Sequence, residues 1–164
     1  MSNANMIEPW RFCAEKTRLE RTFLLSELDS RVDEYAHFGS MNDSVTLVLQ
    51  GQIDEHHQHW IHLHLTGTVS PQCQRCLMPV SINLDEKMRI LLCENEEQAE
   101  QIDLEDDDVE IVGLQDTIDI RVWVEDLIIT ALPMAPCHEQ CADEDLTAQY
   151  KNQKDNPFAV LKNL

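Results

Sequence analysis

Residues 45–69 read VTLVLQGQIDEHHQHWIHLHLTGTV, and their period decides the fold. Apolar side chains recur at every second position in VTLVLQGQI and again in WIHLHLTGTV, with the polar DEHHQH between them. A period of two puts alternate side chains on opposite faces of a strand, so the stretch predicts a hairpin with one apolar face. The same alternation returns further on, where Val80, Ile82, Leu84, Met88, Ile90 and Leu92 occupy even positions and Ser81, Asn83, Asp85, Lys87 and Arg89 fall between them. That run predicts one long half-buried strand, or two with a bend near Asp85 and Glu86. Adding LERTFLL, the segments around 19–25, 45–54, 59–70 and 80–93 predict an antiparallel sheet, either open or partly closed into a barrel.

Helical signals surround this sheet. In DIRVWVEDLIITALP, residues 119–133, Ile120, Val124, Leu127, Ile128 and Ala131 form a stripe with Trp123 on its flank; Asp119 can cap the start and Pro133 stops the helix. Pro9 opens a short helix through about Arg18, and Ser26 with Asp29 starts a second through about Ala36. The class that follows is α+β, an antiparallel sheet covered by a few helices. Residues 94–110 hold ten acidic and no basic side chains, which predicts a solvated loop leaving the sheet. A single domain is expected over 1–141, followed by a polar linker and a short C-terminal helix over 142–164.

The chain of 164 residues carries 31 acidic against 12 basic side chains, a formal net charge of −19. Such a surface repels phosphate backbones and anionic membranes and attracts basic partners. No apolar run approaches the roughly 20 residues of a membrane span, and no signal-peptide pattern opens the sequence, so a cytoplasmic chain without membrane contact is expected. Six cysteines in that compartment read as thiols or metal ligands and not as a disulfide framework.

Four of the six fall in two short pairs, Cys73 with Cys76 in the turn between two strands and Cys137 with Cys141 after the long helix. Two thiolates from each of two turns are what a tetrahedral Zn(II) site takes, and His138 can substitute for one cysteine. The alternative is a pair of turns with reduced thiols. A thioredoxin-like dithiol would need its first cysteine at a helix N-terminus, whereas strands flank this CxxC. His62 and His64 share one strand face, where exposed polar positions are expected. Glu125 is expected at the helix edge near Arg121, and Cys13 and Cys93 as structural thiols. No phosphate loop, nucleophile elbow or HExxH motif is present, so no catalytic residue is assigned.

Taken in order, CQRCLMPV, IDIRVWVEDLIITALPMAPCHEQC and the terminal NPFAVLKNL resemble the bacterial YceD family of large ribosomal RNA subunit accumulation proteins, from about Gly67 to Leu164. The resemblance implies a non-enzymatic cytoplasmic factor needed for accumulation of 23S ribosomal RNA through its synthesis, processing or stability. Together with the acidic composition it leads to an expected partner, a basic ribosomal protein or an RNA-processing component. The candidate contacts are Arg75 in the CxxC turn and Phe158 and Leu161 in the tail helix. The other reading is direct contact with ribosomal RNA through the sheet and the CxxC turn, drawing on Arg75, Lys87 and Arg89.

Overall fold

The computed structural model describes residues 5–95, 99, 109–113 and 117–141. Its centre is a five-stranded sheet in the order β2-β3-β4-β5-β6, with β2 over Arg18–Leu24, β3 over Ser44–Ile53, β4 over His59–Val69, β5 over Ile82–Leu92 and β6 over Val109–Val112. Neighbours from β2 to β5 are antiparallel, and β6 joins β5 in parallel. A second, two-residue pairing joins β1, Met6–Ile7, to β7, Ile118–Asp119. The long alternating run is a single strand, without the bend the sequence left open.

Register follows the apolar period. Leu47 opposes Leu65, Leu49 opposes Leu63, and Ile61 opposes Ile90, so one sheet face is lined by residues that are buried. Three helices close that face: α1, Pro9–Ala14; α2, Ser30–Ala36; and α3, Ile120–Ala131. Phe12, Val32, Val124, Leu127 and Ile128 from these helices join Leu49, Ile61, Leu65 and Ile90 in one apolar cluster. Each large side chain buried in this way contributes roughly 1.5–3 kcal/mol, which is what holds helices this short in place. Gly51 sets the approach of α1: a Cβ there would lie 2.5 Å from the Phe12 carbonyl oxygen. Asp29 caps α2 and Asp119 caps α3, each accepting from the N–H two residues on.

Several expectations require correction. Of the two forms expected for the sheet, the open one is found among the described residues: its edges are β2, which carries the exposed ion pair Arg18–Glu20, and the four-residue β6, and no pairing joins them. α1 ends at Ala14 instead of about Arg18, since Lys16 turns into the left-handed region at φ 50° and β2 starts at Arg18. Val109 and Glu110, the last two residues of the acidic run, lie in β6; apart from Glu94, Asn95 and Ala99 the rest of that run is outside the described residues, as is 142–164.

Glu125 is not an edge residue facing Arg121. It is 6% exposed, accepts the Asp29 N–H at 3.0 Å, and receives both Nε and Nη2 of Arg31, at 2.9 and 2.8 Å. Arg31 Nη1 reaches Asp126 at 2.8 Å, so one guanidinium ties α2 to two adjacent acids of α3. Arg121 instead clamps its own cap residue, Asp119. A buried carboxylate needs such partners, because desolvation otherwise costs several kcal/mol.

Candidate metal centre

The CxxC occupies the connection between β4 and β5, tied into a narrow loop by its own backbone. The Cys73 N–H donates to the Met78 carbonyl at 2.9 Å, the Leu77 N–H to the Cys73 carbonyl at 2.9 Å, and the Val80 N–H to the Pro71 carbonyl at 2.8 Å. Leu77 takes the left-handed conformation at φ 63° to close this turn. Beyond α3, the Gln74 N–H donates to the Pro136 carbonyl at 2.8 Å, which brings the segment after Pro133 against the loop.

That contact assembles Cys73, Cys76, His138 and Cys141, whose ligand atoms all lie within 4.8 Å of one another. Cys73 Sγ is 3.7 Å from Cys141 Sγ, and Cys76 Sγ is 3.4 Å from His138 Nδ1. Tetrahedral Zn(II), with bonds of about 2.3 Å to sulfur and 2.0–2.1 Å to nitrogen, requires separations of about 3.8 Å and 3.5 Å for these pairs. His138 Nε2 lies 3.0 Å from the Pro79 carbonyl oxygen; a proton there donates to that oxygen and leaves the Nδ1 lone pair for a ligand. Cys73 and Cys141 are buried and pack with Val80, which shields the cluster from water.

Charge at the cluster is uneven. The backbone N–H of Cys76, helped by those of Arg75 and His138 and opposed by burial, holds the Cys73 thiol down at about 5. Burial, then the neighbouring Cys73 and Cys76, pushes Cys141 up to about 11. Deprotonation is thus favoured at Cys73 and opposed at Cys141. A divalent ion offsets that opposition, and a soft Cys3His donor set in a tetrahedron suits Zn(II).

Cys137 is exposed and outside the cluster, and His138 is the donor that stands with Cys141. The donor spacing is thus C-x2-C followed by H-x2-C, with His138 in the place that the sequence reading gave to Cys137. Arg75 lies exposed at the tip of the loop, while Phe158 and Leu161 fall outside the described residues. His62 and His64 share the outer sheet face without forming a clasp, because His64 Nε2 is 2.6 Å from Asp85 Oδ1. Cys13 is fully buried, its Sγ 3.2 Å from the Trp60 carbonyl oxygen, and Cys93 is buried just beyond the end of β5.

One small cleft opens on the outer face. Val48, Gln50, His62, His64, Lys87 and Arg89 line a cavity of about 350 Å³, with the Arg89 guanidinium 5.9 Å from the Trp60 ring centroid. Among the described residues, no helix is long and apolar enough to cross a membrane.

Residues 61–164 match the family model described as Large ribosomal RNA subunit accumulation protein YceD. The match spans the loop, α3 and all four clustered ligands. No solved structure matches the chain.

Proposed function

The chain belongs to the YceD family, and on that premise we propose that it is a non-enzymatic factor in accumulation of large-subunit ribosomal RNA that works by engaging a basic protein of the large subunit. The observation that carries this reading is the net charge of −19. Charge of that size accelerates encounter with a basic protein and disfavours a phosphate backbone as the principal ligand. In this reading the Cys73, Cys76, His138 and Cys141 cluster holds one structural Zn(II), which fastens the β4–β5 loop to the segment behind α3.

The test is capture by the full-length protein from bacterial lysate, with and without ribonuclease, identifying both protein and RNA. A basic large-subunit protein that stays bound after ribonuclease supports the reading. Large-subunit RNA whose removal releases every bound protein sinks it.

A second reading, direct RNA contact, is favoured by the outer-face cleft. Lys87 and Arg89 sit beside His62 and His64 there, and the His62 Nε2 atom is buried with no hydrogen-bond partner among the described residues. Binding to isolated RNA through that face would weaken linearly on a log–log plot against salt, with a slope of about −0.7 per phosphate neutralised on a single strand.

A further inference from the structure

Next to the metal centre, the end of α2 and the CxxC loop enclose a groove of about 220 Å³ walled by Asp33, His37, Phe38, Gln72, Leu77 and Pro79. Its walls are fixed by backbone bonds that join distant segments. The Gln72 N–H donates to the Ala36 carbonyl at 3.2 Å, and the Gly39 N–H to the Ser70 carbonyl at 2.9 Å. Phe38 pairs with Pro71, and Gln72 Nε2 donates to the Leu77 carbonyl at 3.1 Å. The groove is therefore formed before any ligand arrives.

One residue of the groove goes against fold stability. His37 and Leu77 both line it in left-handed backbone, at φ 48° and 63°, but at His37 this is the ordinary C-cap of α2. Glycine takes this conformation without steric cost, whereas a leucine does not. Leu77 is moreover 64% exposed and its neighbour Met78 60% exposed, so neither gains the burial that would offset the cost. Strained backbone carrying an exposed apolar side chain beside a preformed groove is a pattern found at ligand contacts.

The chemistry of the walls selects the occupant. The lining is mixed: Phe38, Leu77 and Pro79 give it a short run of apolar contacts, and Asp33, His37 and Gln72 give it polar ones, Asp33 with a carboxylate. Asp33 Oδ1 accepts the Phe38 N–H at 3.1 Å, which holds the side chain in place while leaving acceptor capacity on its second oxygen. A long aliphatic stem ending in a cation fits such a lining, since lysine and arginine bury their methylenes and keep the charged head at a polar end. We infer that this groove receives a lysine or arginine side chain of the basic partner, its stem along Phe38, Leu77 and Pro79 and its cation at Asp33, with Leu77 and Met78 as flanking apolar contacts. The inference rests on the basic-partner reading and names the surface that reading uses.

The test immobilises the full-length chain and applies the proteins stripped by high salt from purified large ribosomal subunits. Leu77→Gly relieves the backbone while deleting the contact, and Asp33→Asn removes the charge while retaining an acceptor for Phe38. Val122→Ala alters an exposed apolar residue of α3 outside the groove and is the control. Metal content and thermal midpoint are measured on every variant. The expected result is that wild type and Val122→Ala retain the same basic protein, while Leu77→Gly and Asp33→Asn, folded and with unchanged metal content, each retain at least tenfold less. Equal retention by all four overturns the groove and leaves the basic-partner reading standing. Retention of nothing basic by wild type overturns that reading and the groove with it.

Discussion

Single residues decide the chemistry at two places. At the candidate metal centre His138 stands in the position of the fourth donor, and on the proposed zinc reading Cys141→Ser is expected to reduce bound zinc from one ion per chain to nearly none after dialysis against a weak chelator. Cys137→Ser, at an exposed position, keeps the full complement. Elemental analysis of the dialysed proteins checks both, and zinc loss from Cys137→Ser together with retention by His138→Ala would reverse the assignment. The second place is Cys13. Burial, opposed by a backbone hydrogen bond, pushes its thiol from the ordinary 9.0 up to about 11. An unfolded chain gives up that proton near pH 9 and the folded chain near 11, so the contribution is complete below pH 9 and lost as pH rises toward 11. Two units correspond to about 2–3 kcal/mol. Urea titrations at pH 8.5 and 10.5, which span only part of that range, are expected to show wild type losing about 1.5–2 kcal/mol more stability over the interval than Cys13→Ala. Parallel losses would mean that Cys13 does not set the alkaline limit.

At the scale of elements, the α1–β3 contact depends on one missing side chain. Gly51→Ala puts a Cβ 2.5 Å from the Phe12 carbonyl oxygen, a backbone atom that moves only if α1 moves. Overpacking of this kind costs about 1–3 kcal/mol, so the denaturation midpoint is expected to fall accordingly, and an unchanged midpoint would show that α1 yields freely. The strands β2 to β5 and α3 were legible because a period of two or a 3.6-residue stripe persisted over seven residues or more. β6 was hidden because VEIV follows a run of aspartates and is four residues long. β1 and β7, two residues each, present no period at all. The position of Glu125 escapes the sequence for a related reason. Its neighbours on α3 are visible in sequence, whereas Arg31 reaches it from 94 residues away. The metal ligands fall between these cases: local spacing exposed the CxxC, but only the fold could choose His138 over Cys137.

For the whole molecule the dominant quantity is the excess of 31 acidic over 12 basic side chains. A globular chain of this length has a radius of gyration of about 15 Å. The screening length is about 30 Å in 0.01 M salt and about 10 Å in 0.1 M, so at low salt every carboxylate is repelled by charges across the whole domain, and at moderate salt only by near neighbours. Compactness is opposed by this repulsion, and added salt should relieve it. Ion pairs respond in the opposite sense, but the pair that matters most, Arg31 with Glu125, is partly buried, and the exposed pairs at Arg11 and Arg18 contribute little. The thermal midpoint is therefore expected to rise by a few degrees between 0.01 and 0.15 M sodium chloride and to level off above that. A midpoint that falls over this range would mean that paired charges outweigh net repulsion. The same long-range field would draw in a basic partner, which would neutralise the repulsion on binding. Partner stabilisation should consequently be largest at the lowest salt, where the free protein is weakest.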